Sequence, residues 1–173
     1  MRAIFVLAVA ILAGFLISPL VRADAGCVPA PAASAPAASG RWTGAQIENA
    51  RIIVAVGAER GVPEQALVIA VATAMQESGL RNLRGGDRDS IGLFQQRPSQ
   101  GWGTPAQLRD PAYQTGKFYD KLLTVDGWQA MKLTEAAQAV QVSAYPKAYA
   151  KHTSAATRLV ESLTVPESCA VTP

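Results

Sequence analysis

The chain is poor in the residue types that build metal centres and nucleophilic triads. Its 173 residues include two cysteines and a single histidine, His152. This supply has no ligand spacing for zinc, and without a G-x-S-x-G segment His152 has no partner for a serine nucleophile. We therefore expect no metal and no cofactor, and we interpret His152, beside Lys151, as a solvated surface residue.

Three further patterns are missing from the chain. No segment alternates apolar and polar residues with period two, no internal repeat is present, and no Lys/Arg cluster is interleaved with aromatics. These absences favour a single, mainly α-helical domain and speak against nucleic acid as a partner. The formal charge of +3 at pH 7 is compatible with an anionic cell wall.

The N-terminus carries an apolar run over residues 3–21, preceded by Arg2 and followed by the small-x-small site at residues 23–25. This pattern predicts a signal peptide over residues 1–25 and a secreted, cell wall-associated protein. The run is also long enough for a retained segment that tethers the protein to a membrane. A lipid on Cys27 is a third option, but Asp24 stands where lipoprotein signals carry an apolar residue.

Composition divides the rest of the chain. Residues 26–41 are rich in Ala, Pro and Ser and predict an extended leader. Residues 42–165 have the size of one domain, and residues 166–173 form a tail. Cys27 and Cys169 bracket the domain, which in an exported chain predicts one disulfide. Two unpaired thiols are the alternative.

Start and stop signals predict helices joined by loops. Thr43 and Gln46 form a capping box for a helix that ends near residues 60–61, and residues 63–79 hold a second helix. Further helices are expected from Asp110, Thr134 and about residue 147, with another start at residue 104. The expected inward faces are Ile47, Ala50, Val54 and Ala58 in the first helix, and Ala136, Ala137, Val140 and Ala144 in the helix from Thr134.

Glu77 follows an apolar run over residues 66–75 that only Thr73 interrupts. Such a run predicts a helix buried on all sides. Glu77 is then partly desolvated near the negative pole of the helix, and both effects favour a protonated carboxyl group. Glu77 is therefore a candidate general acid, the alternative being an ordinary solvated residue at a helix end.

Two motifs follow Glu77-Ser78 in a loop-rich stretch: Gly86-Asp87-Arg88 and Gly92-Leu93-Phe94-Gln95. Together with Ser143-Ala144-Tyr145, this ordered set resembles goose-type lysozymes and soluble lytic transglycosylases. Pro146 departs from the pattern, because the transglycosylases have Asn there. The resemblance implies a single lysozyme-like helical domain with a loop-rich substrate cleft.

In that family one Glu protonates the glycosidic oxygen between MurNAc and GlcNAc of peptidoglycan. The resemblance implies Glu77 as this acid in a monomeric enzyme, with peptidoglycan and other cell-wall enzymes as partners. Tyr145 is expected beside Glu77, and plain core packing is the alternative for Leu93 and Phe94. The residues implied to bind substrate are Ser78, Gly92, Leu93, Phe94, Gln95 and Tyr145.

A hydrolase of the inverting kind needs a second carboxylate, about 6.5 to 9.5 Å from the first, to activate water. Asp87 and Asp89 are the candidates, but Gln96 or Arg97 stands at the second goose-type aspartate. A lytic transglycosylase needs only Glu77, which acts as acid and then as base on the substrate's own 6-hydroxyl. The sequence thus favours a lytic transglycosylase over a hydrolase or a non-catalytic wall-binding domain.

Structural roles remain open in the same loop. Asp87 and Asp89 can instead cap a turn or pair with Arg88 or Arg81. Trp102 lies between two glycines, where its indole can stack on a sugar or fill the core. The side-chain directions decide between these roles.

Overall fold

Five α-helices and the loops between them form residues 41–164, the part of the chain that the computed structural model describes, and no β-strand lies among these residues. The prediction of a mainly α-helical class is confirmed. The predicted signal peptide, nearly all of the leader, the tail and both cysteines lie outside the described residues. The helices are α1 (Gly44–Glu59), α2 (Glu64–Ser78), α3 (Pro111–Leu123), α4 (Leu133–Gln141) and α5 (Thr153–Thr164).

The first helix begins at the predicted capping box. The Thr43 hydroxyl accepts a hydrogen bond from the Gln46 amide at 3.3 Å, and the Gln46 side chain accepts one from the Thr43 amide at 2.8 Å. These bonds satisfy backbone donors that the first helical turn leaves unpaired. The local signal therefore positions the start of α1 correctly.

The buried face of α1 differs in part from the prediction, since Ile47 is only half-buried and Ile53 is buried as well. Ala50 and Val54 are buried as expected, but Ala58 is exposed and Gly57 takes its place. A Cβ at Gly57 would overlap the side chain of Leu67 and the hydroxyl of Tyr119. Because no side chain fits there, glycine lets α1 pack directly against Leu67 of α2 and Tyr119 of α3 at this position.

Helix α2 runs through the core. Its residues 66–75 are buried except at Val68, and the Thr73 hydroxyl donates to the Ile69 carbonyl at 2.7 Å. Pro63 is the residue before the first turn, and Gly79 ends the helix in the left-handed region at φ 63°. Of the helices in the described part of the chain, none has the length and hydropathy needed to cross a membrane.

The second half of the domain departs further from the predicted bounds. The start at residue 104 yields only a 3-10 turn, Gln107–Arg109, before Asp110 caps α3. Helix α4 ends at Gln141, since Val142 adopts a left-handed conformation, so Ala144 is exposed outside the helix. The segment expected to be helical from residue 147 first forms turns and becomes α5 only at residue 153.

Candidate functional site

Glu77 lies in the last turn of α2, and its carboxyl group is half-buried. Its Oε1 accepts a hydrogen bond of 2.8 Å from the hydroxyl of Tyr149. Tyr149 is itself fully buried and immediately precedes the turn that leads into α5. Two distant parts of the chain thus meet at one carboxyl oxygen, which fixes the direction of the Glu77 side chain.

Burial is the largest influence on the Glu77 carboxyl and raises its pKa above the usual value of 4.5. The hydrogen bond from Tyr149 and, to a smaller extent, the side-chain amide of Gln141 lower the pKa but do not cancel this effect. Burial also raises the pKa of Tyr149, which therefore remains a neutral donor. The site holds a carboxyl group that keeps its proton to higher pH than an exposed glutamate does.

Gln141, the last residue of α4, links this carboxyl group to the neighbouring loop. Its side-chain amide donates to the carbonyl of Phe94 at 2.8 Å and is close enough to Glu77 to lower the pKa of that carboxyl group. The sequence reasoning missed both Gln141 and Tyr149. Gln141 carries no local signal, because only the packing of α4 on the loop brings it to the site.

The tyrosine that contacts Glu77 is Tyr149. The sequence had instead predicted Tyr145 beside this carboxyl group. Tyr145 is 74% exposed, and its phenol forms no hydrogen bond within residues 41–164. The left-handed residue Val142 ends α4 and turns the chain outward before it returns at Tyr149. Pro146, which stands where the transglycosylases have Asn, was the one sequence feature that could have warned against carrying the role of their tyrosine over to Tyr145.

Ser78 connects α2 to the loop instead of facing a ligand. It is 4% exposed, and its hydroxyl lies 2.8 Å from the Leu93 carbonyl and 3.1 Å from the Ala74 carbonyl. The same oxygen accepts a bond from the Arg81 amide at 3.1 Å. The hydroxyl is therefore used inside the fold, contrary to the substrate-binding role expected for it.

The Gly-Leu-Phe-Gln motif also packs inward for the most part. Leu93 and Phe94 are fully buried, so the core-packing alternative describes them, and Phe94 stacks on Phe118 with ring centroids 4.8 Å apart. A Cβ on Gly92 would overlap the side-chain amide of Gln114 on α3.

Gln95 completes this motif and is only half-buried. Its side-chain amide donates to the Gly92 carbonyl at 3.0 Å. Of the residues expected to bind substrate, Gln95 and Tyr145 therefore keep exposed side-chain surface.

The two candidate second carboxylates are in different states. Asp89 accepts a hydrogen bond from Arg97 at 2.7 Å on one oxygen and from the Ser99 amide at 2.8 Å on the other. These contacts, the Arg97 pair first, hold the pKa of Asp89 well below its usual range. Asp87 is 94% exposed and lies 3.9 Å from Arg88. The expected pairing with Arg88 is therefore found for Asp87, whereas Asp89 pairs with Arg97.

The chemistry that this arrangement offers is proton transfer by one carboxyl group. Within residues 41–164, no three His, Cys, Asp or Glu side chains cluster in a way that could hold a metal ion. No family model and no curated protein matches this chain. The function is therefore inferred from Glu77 and the groups around it.

Two other predicted residues lie close to the core. His152 is half-buried rather than solvated, with its ring Nε2 3.1 Å from the Gln76 side-chain oxygen, and burial lowers its pKa. Trp102 is also half-buried and packs against the core, while its carbonyl lies 3.4 Å from the Tyr113 hydroxyl. His152 therefore borders the residue that precedes Glu77, and Trp102 has only part of its indole available to solvent.

Proposed function

We propose that this protein is an exported, lysozyme-like enzyme that cleaves the MurNAc-GlcNAc bond of peptidoglycan by lytic transglycosylation. The observation that carries the proposal is the half-buried Glu77 carboxyl, with its raised pKa and its 2.8 Å hydrogen bond from Tyr149. Perturbed carboxyl groups with a fixed orientation are typical of general acids. The order of the Glu-Ser, Gly-Asp-Arg and Gly-Leu-Phe-Gln motifs supports peptidoglycan as the substrate.

In the first step, neutral Glu77 donates its proton to the glycosidic oxygen, and the bond to the anomeric carbon breaks. The Glu77 carboxylate then accepts the proton of the substrate's 6-hydroxyl while that oxygen bonds to the anomeric carbon. The product carries a 1,6-anhydro ring, no water is consumed, and Glu77 regains its proton. Tyr149 supports the first step, because its hydroxyl stabilises the carboxylate that forms when Glu77 gives up its proton, and in the second step it holds that carboxylate in a fixed direction.

The state of the aspartates supports this route over inverting hydrolysis. Both carboxylate oxygens of Asp89 are occupied, by Arg97 and by the Ser99 amide, which leaves little capacity to orient a water molecule. A goose-type-like hydrolysis is the second candidate, favoured by the carboxylate of Asp87, which is 94% exposed and has only the exposed Arg88 nearby, at 3.9 Å. A non-catalytic wall-binding domain is a third function, in which the cleft retains substrate without turnover.

The test is digestion of purified cell-wall sacculi by the wild type and by Glu77→Gln, with mass spectrometry of the released fragments. We expect 1,6-anhydro ends from the wild type and at least about a 100-fold lower rate from the variant. Glu64→Gln is the matched control, because Glu64 is an exposed carboxylate in the first turn of the same helix.

The fragments also separate the three functions. Reducing ends would identify a hydrolase, whereas binding of sacculi by the wild type without any release would identify a wall-binding domain. A Glu77→Gln protein as active as the Glu64→Gln control would contradict the role of Glu77 in either enzyme.

A further inference from the structure

The stretch 81–109 contains five arginines, and two of them lack a partner within the described residues. Arg81 donates to a backbone carbonyl, while Arg97 and Arg88 face aspartates at 2.7 and 3.9 Å. Arg84 and Arg109 form no ion pair and donate no side-chain hydrogen bond among residues 41–164. Two guanidinium groups are therefore left with their donors free.

The two unpaired arginines line the same pocket. Its volume is about 540 Å³, and Asn82 and Leu83 form the rest of its lining. This volume lies within the range of about 300 to 1,000 Å³ that small-molecule sites occupy. Arg84 lies in the loop after α2 and Arg109 ends the 3-10 turn before α3, so the fold brings two distant residues to one pocket.

A network of side-chain amide hydrogen bonds fixes the frame of this pocket. The Asn82 side chain donates to the Arg109 carbonyl at 2.8 Å and accepts from the Gln114 amide at 3.0 Å. The Leu83 carbonyl accepts from the Gly92 amide at 2.8 Å. Because Gln114 is fully buried on α3, the loops that carry both arginines are held to a rigid helix. Loops that are already fixed lose less conformational entropy when a ligand binds.

We propose that this pocket binds a carboxylate of the peptides attached to the glycan strand, a proposal that rests on the function given above. A guanidinium group presents paired donors that match the two oxygens of a carboxylate. The side chain of Leu83 adds an apolar wall, and the volume exceeds what one inorganic ion fills. These features favour a carboxylate on a small organic stem over free phosphate.

The backbone of one loop links the lining of the pocket to the end of α2. The Gly92 amide bonds to Leu83 in its lining, and the next carbonyl along the chain, that of Leu93, lies 2.8 Å from the Ser78 hydroxyl beside Glu77. One short loop therefore joins the pocket to the end of α2. A peptide held by Arg84 and Arg109 would accordingly anchor the glycan that Glu77 cleaves.

The probe for the first experiment is N-acetyl-D-alanyl-D-alanine, titrated into the full chain and followed by the NMR shifts of the backbone amides of residues 82–84 and 109. We expect saturable shifts, and about tenfold weaker binding for Arg84→Gln and for Arg109→Gln, because each removes a charge-assisted hydrogen bond. Arg51→Gln and Arg158→Gln are the matched controls, since both arginines are exposed and lie on α1 and α5.

Three results would overturn the assignment. One is equal weakening by the control variants, which would show that net charge alone attracts the probe. Another is equal binding of the same dipeptide with an amidated C-terminus, which would show that the carboxylate is not recognised. Tighter binding of inorganic phosphate than of the dipeptide would assign the pocket to phosphate instead.

A second measurement separates this pocket from the proposed function. Probe binding to Glu77→Gln should match the wild type, because it requires no turnover. In sacculus digestion the Arg84→Gln, Arg109→Gln double variant should raise KM at least about tenfold with kcat unchanged. Cleavage without probe binding refutes the pocket alone, whereas probe binding without cleavage refutes the enzyme function alone.

Discussion

The end of α2 and the loop that follows it each hold a carboxylate, and the two are perturbed in opposite directions. Glu77 is half-buried and receives its hydrogen bond from the neutral phenol of Tyr149, so burial dominates and its pKa rises. Asp89 faces solvent and Arg97, so its pKa falls. The carboxyl group at the end of α2 thus keeps its proton to higher pH, whereas the one in the loop stays ionised to lower pH.

The opposite pKa shifts follow from what the end of α2 and the loop each place around their carboxylate. A buried helix end removes water from a carboxyl group without supplying a cation, which is what an acid requires. The loop supplies a cation and a backbone amide, and Asp89 uses both to join Arg97 and Ser99 across a turn. In the proposed function, proton transfer therefore belongs to the end of α2, whereas Asp89 maintains the conformation of the loop.

The largest expected effect compares these two carboxylates directly. Glu77→Gln should lower the rate of sacculus digestion at least about 100-fold, because no other group supplies the proton. Asp89→Asn should keep most of the activity, since the anion there only holds the loop. Thermal melts are needed to show that both variants are folded. Equal losses in the two variants would indicate a hydrolytic pair and refute the proposed division.

The second prediction concerns the attachment of the loop to α3. Gly92→Ala should lower the free energy of unfolding by about 3 kcal/mol, from left-handed strain plus overlap with Gln114. Gly101→Ala is the matched control, because Gly101 has nearly the same φ, 80° against 81°, and open space around it. It should cost only about 1 kcal/mol. Urea denaturation measures the free energy of unfolding of both variants. Equal losses in Gly92→Ala and Gly101→Ala would show that Gln114 moves away from the added methyl group at little cost.

Local chemistry explains how much of the fold could be predicted. Thr43 and Asp110 cap helices through neighbours within three residues, so the sequence alone positions these starts. The wrongly predicted helix ends depend on tertiary packing, which the local sequence does not encode. Val142 adopts its left-handed conformation at the end of α4, a choice that its β-branched side chain does not favour locally. Ala144 consequently leaves the predicted helix face.

The site divides in the same way. Glu77 could be identified because the apolar run before it lies in the same helix and predicts burial. Tyr149 and Gln141 approach Glu77 from other elements, and no spacing in the sequence encodes those contacts. The Asp89 partner was missed for a related reason, because the loop folds back and brings Arg97 closer than the neighbouring arginines.

The third prediction separates the two buried tyrosines. Tyr149→Phe removes a hydrogen bond that lowers the pKa of Glu77, so that pKa should rise further and activity should persist to higher pH. Tyr119→Phe is the control, since its hydroxyl donates to the Ile53 carbonyl at 3.1 Å, away from Glu77. Each change should cost about 1 kcal/mol of stability. An unshifted pH-rate profile for Tyr149→Phe would show that the phenol does not tune the acid.

The smallest expected effects are opposite pH dependences of stability. The pKa of Glu77 is raised above 4.5 in the folded protein, so its contribution is present below 4.5 and lost as pH rises through the folded value. Wild type should therefore lose stability relative to Glu77→Gln as pH rises.

The pKa of Asp89 is lowered from 3.8, so its contribution is present above 3.8 and lost as pH falls. Wild type should accordingly lose its advantage over Asp89→Asn in acid. Urea titrations from about pH 2 to 8 measure both differences, and slopes of the same sign would mean that the helix end and the loop do not perturb their carboxylates in opposite directions.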